Sequence, residues 1–132
     1  MMAKLEHSPQ QARMEAVSRD ALVQAALQEI NQNYREASLS NVARAYGVSL
    51  AYVSECVRAQ TGRTYKELLQ KHRMETAARL LRRSDLNIQQ IIAQVGYENT
   101  SYFYRLFHER YGLSPREYRL VRTGTAPRRP SA

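Results

Sequence analysis

Apolar side chains recur along this chain at intervals of three and four residues, the period of an amphipathic helix, and no stretch alternates with the two-residue period of a strand. Leu22, Ala26, Leu27 and Ile30 predict a first helix over 19–33. Leu39, Val42, Ala43 and Tyr46 predict a second over 39–46, ending at Gly47. A third, over 50–60, carries Val53, Cys56 and Val57, starts from Ser49 as N-cap and stops before Gly62. A long fourth, over 65–82, has the stripe Leu68, Leu69, His72, Ala77, Leu80 and Leu81. The fifth, over 88–95, carries Ile88, Ile91, Ile92 and Val95 and ends at Gly96. The sixth, over 100–111, carries Phe103, Leu106 and Phe107, and a seventh opens at Ser114-Pro115. Thr64 with Glu67, Asn87 with Gln90 and Ser114 with Glu117 have the spacing of a capping box, in which two side chains satisfy each other's free backbone N–H. Pro115 falls at a first helical position, where its missing N–H costs nothing. No proline interrupts residues 10–114. The prediction is an all-α protein of about seven helices.

The pattern occurs twice. Gly47 and Gly62 lie 15 residues apart, Gly96 and Gly112 lie 16 apart, and the surrounding residues align. Leu39, Val42, Ala43 and Tyr46 match Ile88, Ile91, Ile92 and Val95; Val53, Cys56 and Val57 match Phe103, Leu106 and Phe107, after one extra residue in the second copy. A helix, a glycine-containing turn and a second helix form the helix-turn-helix unit. Its second helix fits the DNA major groove, about 12 Å wide. Each copy alone falls below the roughly 40 residues that fold unaided, so the fourth helix is expected to be a shared element. Eighteen to twenty residues of helix span ~30 Å, near the ~34 Å between successive major grooves on one DNA face. The predicted organisation is a polar segment over 1–17, read as the remnant of an interdomain linker, a first unit over 18–63 and a linker helix over 64–83. A second unit over 84–123 and a disordered basic tail over 124–132 complete it.

Charge sharpens this picture. The net charge of +8 is unevenly spread: residues 18–61 carry four basic and four acidic side chains, whereas 62–83 carry seven basic and two acidic. A basic stretch beside two helix-turn-helix units suits a surface that tracks phosphates. The one cysteine, Cys56, excludes an internal disulfide and fits a small core residue. His7, His72 and His108 lack metal-ligand spacing, and no phosphate-binding glycine loop or nucleophile elbow is present. We therefore expect no enzyme activity, no cofactor, no metal and no small-molecule site. No long apolar run suggests a membrane span or signal peptide, so a cytoplasmic location is expected.

From residue 19 to 122 the chain resembles the DNA-binding domain of AraC/XylS-type transcription regulators, most specifically over IQQIIAQVGYENTSYFYRLFHERYGLSPREYR, Ile88 to Arg119. The resemblance implies two helix-turn-helix units joined by a linker helix, sequence-specific binding of double-stranded promoter DNA and contact with RNA polymerase. It implies base-reading positions at Ala51, Ser54 and Glu55 in the first unit and at Thr100, Ser101, Tyr104 and Arg105 in the second. Arg105 has a planar fork that matches guanine O6 and N7 or a phosphate. Glu55 departs from the basic residue common in the family; a carboxylate is repelled by phosphate but accepts from cytosine N4. Ile92 replaces a small residue where two helices meet, a place Ala43 fills in the first copy. Val53, Cys56 and Val57 supply less apolar volume than Phe103, Leu106 and Phe107, with Tyr46 and Tyr52 available to fill the gap. On that basis the third helix is expected to exchange its amides faster than the sixth. A second reading is a protein-interaction module of the same fold that contacts RNA polymerase or another regulator without DNA readout. A monomer is expected in isolation.

Overall fold

The computed structural model describes residues 18–123, so the expectations for 1–17 and 124–132 lie outside the described residues. Seven helices and no strand occur among the described residues: α1 (Arg19–Asn33), α2 (Leu39–Tyr46), α3 (Leu50–Thr61), α4 (Tyr65–Arg83), α5 (Ile88–Gln94), α6 (Thr100–Tyr111) and α7 (Pro115–Thr123). The expected all-α architecture is therefore observed.

The helix starts follow from the caps. The Thr64 N–H donates to Glu67 Oε1 at 2.9 Å while the Glu67 N–H donates to Thr64 Oγ1 at 3.1 Å. The same reciprocal pairs link Asn87 with Gln90 and Ser114 with Glu117. The Glu67 carboxyl is held below the usual carboxylate range, chiefly by the Thr64 backbone N–H. Ser49 accepts from the Tyr52 N–H, as expected. Ser18, Ser38 and Asn99 cap α1, α2 and α6 in the same way, although the apolar pattern did not single them out. The helix ends follow from glycine. Gly62 and Gly112 close α3 and α6 with φ of 75° and 73°, the left-handed region that a side chain disfavours.

Packing divides the chain into two units, with the boundary inside α4 after Gln70. In the first unit α1, α2 and α3 pack on one another. Leu22, Val23, Ala26 and Ile30 from α1 join Leu39, Val42 and Ala43 from α2 and Val53, Cys56 and Val57 from α3 in one core, which Tyr65 of α4 also enters. Val23, absent from the predicted stripe, is buried, whereas Leu27 is only half-buried, because the buried face of α1 is rotated by part of a turn from the predicted one. Tyr46 is exposed and does not fill this core; Tyr52 packs against its edge. Comparing α3 with α6 alone thus leaves out the four buried side chains of α1, which make up much of the missing apolar volume.

The second unit has an aromatic core. Phe103 and Phe107 of α6 are fully buried and stack at 5.9 Å. Tyr118 of α7 meets Phe107 edge-on at 5.4 Å, and Tyr111 lies 4.7 Å from Phe107. Tyr97 meets Phe103 edge-on at 5.8 Å. Such pairs add about 0.5–1.5 kcal/mol each beyond area burial. Leu106, the expected third core position, is only half-buried because these rings already occupy the interior. Ile92, 3% exposed, is accommodated within the core. Arg119 ties α7 to the end of α4, its guanidinium donating to the carbonyls of Leu81 at 2.9 Å and Ser84 at 3.2 Å. These are among the carbonyls a helix C-terminus leaves without intrahelical partners.

Two stability outcomes follow. Leu22→Ala, at a fully buried site, is expected to cost about 3 kcal/mol and to speed amide exchange across α3, measured by urea titration and hydrogen–deuterium exchange. Unchanged α3 exchange contradicts the role given to α1. Gly62→Ala and Gly112→Ala meet no atom within 4 Å of the new Cβ but keep a positive φ, so each is expected to cost roughly 1 kcal/mol through backbone strain alone, with the asparagine variants milder.

Candidate nucleic-acid interface

Burying one stripe of a helix fixes what the opposite stripe presents. On α6 the burial of Phe103 and Phe107 turns Ser101 and Arg105 fully outward and leaves Thr100 and Tyr104 half-exposed. On α3 the burial of Val53, Cys56 and Val57 leaves Ala51, Ser54 and Glu55 exposed. All seven residues named from sequence thus lie on solvent-accessible parts of the second helix of their own unit. Three cluster on α3 and four on α6. The turn before each helix is built alike. The Val48 N–H reaches back to the Ala43 carbonyl at 3.0 Å, and the Tyr97 N–H to the Ile92 carbonyl at 3.1 Å. Gly47 and Gly96 adopt φ of 66° and 100° between them. The extra residue of the second copy falls between Gly96 and the cap Asn99, so it lengthens the turn without shifting the helix register.

Arg105 lies against an aromatic ring. Its guanidinium sits 5.0 Å from the ring centre of Tyr102, one turn back on α6. Tyr102 in turn meets Tyr97 edge-on at 5.9 Å, and Arg73 of α4 lies 5.1 Å over the Tyr97 ring. Cation–π contacts of this kind contribute about 0.5–1 kcal/mol at exposed sites. Burial pushes the Tyr97 hydroxyl above its ordinary pKa, opposed in part by the Arg73 cation, so this ring stays neutral at physiological pH. The four groups form a continuous series from α4 to the Arg105 guanidinium.

The equivalent ring on α3 is Tyr52, and an arginine stands by it as well: Arg19 of α1, 5.8 Å from the ring centre. The first unit therefore draws a cation to its recognition helix from a different helix. Sequence reasoning missed Arg19, Tyr102 and Tyr97, and took Arg73 only as a source of general electrostatic attraction. The only signal for them was the tyrosine at the third helical position of both α3 and α6. It also missed Leu50, which opens α3 and is 49% exposed.

A separate open cleft in the second unit is lined by Leu81, Arg82, Arg83, Ser84, Asp85, Arg119 and Leu120. Arg119 is committed there to backbone carbonyls and Arg82 donates to the Tyr118 hydroxyl at 2.8 Å. Among the described residues no three His, Cys, Asp or Glu side chains gather as a metal site requires. No described helix is long and apolar enough to cross a membrane.

The family model of a helix-turn-helix domain matches residues 42–120, a stretch that contains both α3 and α6. The transcriptional activator NphR of a Rhodococcus species is 37% identical over 92 residues, 68% of this chain and 27% of that protein. The chain thus spans little more than a quarter of that relative's length. Among solved structures, the C-terminal domain of AraT, a response regulator from Geobacillus stearothermophilus, matches with a TM-score of 0.71 at 36% identity, covering 76% of this chain and 85% of that one. A DNA-binding transcriptional dual regulator from Escherichia coli K-12 matches with a TM-score of 0.68 at 26% identity, over 78% of this chain and 93% of that one. On its duplicated glycine-turn units and these likenesses together, the chain belongs to the AraC/XylS-type helix-turn-helix family.

Proposed function

We propose that this chain binds double-stranded DNA sequence-specifically as a transcription regulator, with α3 and α6 as the recognition helices of its two units, set in successive major grooves. One observation carries the reading. In both units the second helix of a helix-turn-helix buries one stripe and presents the other, and on α6 that stripe ends in a ring-supported arginine. The net charge of +8 favours a polyanionic partner. The relatives named as a transcriptional activator and a DNA-binding regulator support the same reading.

In this proposal Arg105 reads guanine or clamps a phosphate, Ser101 and Thr100 donate to a base or phosphate near the start of α6, and Tyr104 packs on a thymine methyl or bonds the DNA backbone. On α3, Ser54 and Ala51 face the other groove, and Glu55 accepts from cytosine N4. Lys66, Lys71, Arg73 and Arg79 on α4 add electrostatic attraction. The chain itself performs no catalysis, acts in the cytoplasm and is a monomer in isolation. RNA polymerase is its protein partner when it activates a promoter.

Fluorescence anisotropy on a pool of random duplex DNA, titrated with salt, tests the proposal. Binding is expected to weaken by orders of magnitude between ~50 and ~200 mM salt, as counterions released from phosphates require. Absent or salt-insensitive binding transfers the assignment to a protein-interaction module. At the level of single residues, Arg105→Ala is expected to remove discrimination at one guanine, by about 1–3 kcal/mol, whereas loss of affinity uniform over all sequences makes Arg105 a phosphate contact. Glu55→Arg is expected to tighten binding to random duplex by removing a like-charge repulsion. No change counts against α3 facing DNA in this register.

A further inference from the structure

The two recognition helices present opposite chemistries. The outward face of α6 offers hydroxyls and the Arg105 cation. The first two turns of α3 offer Leu50, Ala51, Ser54 and Glu55, two of them apolar and none cationic; the first cation on that helix is Arg58. A single exposed leucine is ordinary on a protein surface. This one holds the first helical position of α3, the position Thr100 holds on α6, and is 49% exposed, outside the core that α1, α2 and α3 build together. Leu50 is not among the buried side chains that form the core of its unit.

In the major groove one feature rewards an apolar side chain: the C5 methyl group of thymine. Phosphate and the other base edges demand hydrogen-bond partners, which a leucine lacks. Glu55, just over one turn further along α3, excludes that helix from strong phosphate attraction and selects a base-edge donor instead. We propose that Leu50 is a specificity-determining residue that reads a thymine methyl, with Ala51 flanking it, so that the first unit selects sequence by methyl contact and the second by arginine. This rests on the DNA-binding reading above and adds the base chemistry of its first half.

The test uses duplexes selected by the wild-type chain from a random pool. Each thymidine is replaced in turn by deoxyuridine, which removes the methyl group and leaves the base pair and its hydrogen bonds unchanged. Arg105→Ala first marks the half of the site read by α6, through the guanine or the phosphate whose contact is lost in methylation- and ethylation-interference footprints. In the other half, one or two deoxyuridine replacements are expected to weaken wild-type binding about fourfold, the worth of one buried methyl-sized group. Leu50→Ala is expected to bind thymidine and deoxyuridine duplexes equally there while keeping the guanine preference of the α6 half. Leu50→Met, which retains an apolar reach, is expected to restore the discrimination. Because Leu50 is half-exposed, the fold of both variants is expected to be unchanged, and circular dichroism checks it. Wild-type indifference to every deoxyuridine overturns the inference while leaving DNA binding intact. So does a Leu50→Ala variant that still discriminates. Failure of the wild type to bind any duplex removes the underlying functional reading as well.

Discussion

The burial of Phe103 and Phe107 on one stripe of α6 is the constraint on which the second unit depends. Four residues apart on a helix is one turn, so two buried rings fix the rotation of the whole element about its axis. Tyr97, Tyr111 and Tyr118 close around those rings. The register is then set for everything that faces out: Ser101 and Arg105 reach solvent because Phe103 and Phe107 do not. A change of one residue in that register would put Tyr104 and His108 inward and lose both the core and the presented arginine. Structure and function are thus coupled through a single angular relation.

The first unit meets the same constraint with smaller side chains. Val53, Cys56 and Val57 cannot enclose a core by themselves, and α1 supplies Leu22, Val23, Ala26 and Ile30 across it. The second unit closes its core with the rings of α6 and Tyr118 of α7, the first with the aliphatic side chains of α1. The electrostatics divide along the same line. Residues 18–61 balance four basic against four acidic side chains, and the cation nearest the α3 tyrosine arrives from α1 as Arg19. On α6 the cation is part of the recognition helix itself. Two copies of one unit have therefore kept the backbone and diverged in both core and surface.

Much of this was legible in the sequence because it is local. Capping boxes at Thr64–Glu67, Asn87–Gln90 and Ser114–Glu117 depend on residues three apart, and all three form. Glycines at left-handed positions mark helix ends for a reason that needs no tertiary contact. What was not legible depends on partners far along the chain. The grip of Arg119 on the end of α4 spans 38 residues, and the Arg73–Tyr97–Tyr102–Arg105 series draws on α4, the turn before α6 and α6 itself. Tyr46 occupies a core position in the repeat alignment yet is exposed. Val95, its counterpart, is fully buried, so alignment of the copies carried a burial state across that the two cores do not share. The candidate site residues came from the family resemblance, and periodicity accounts only for their facing away from the core; the rings and cations beside them had no comparable signal.

The central claim is that the stripes opposite the two buried faces are the surface that meets DNA. Backbone amide spectra of the isotope-labelled chain, recorded as a selected duplex is added, test it most directly. The account predicts that the largest shifts fall on Ala51, Ser54 and Glu55 of α3 and on Thr100, Ser101, Tyr104 and Arg105 of α6, with small shifts around the Arg82–Asp85 cleft. Shifts confined to that cleft, with α3 and α6 unmoved, would contradict it.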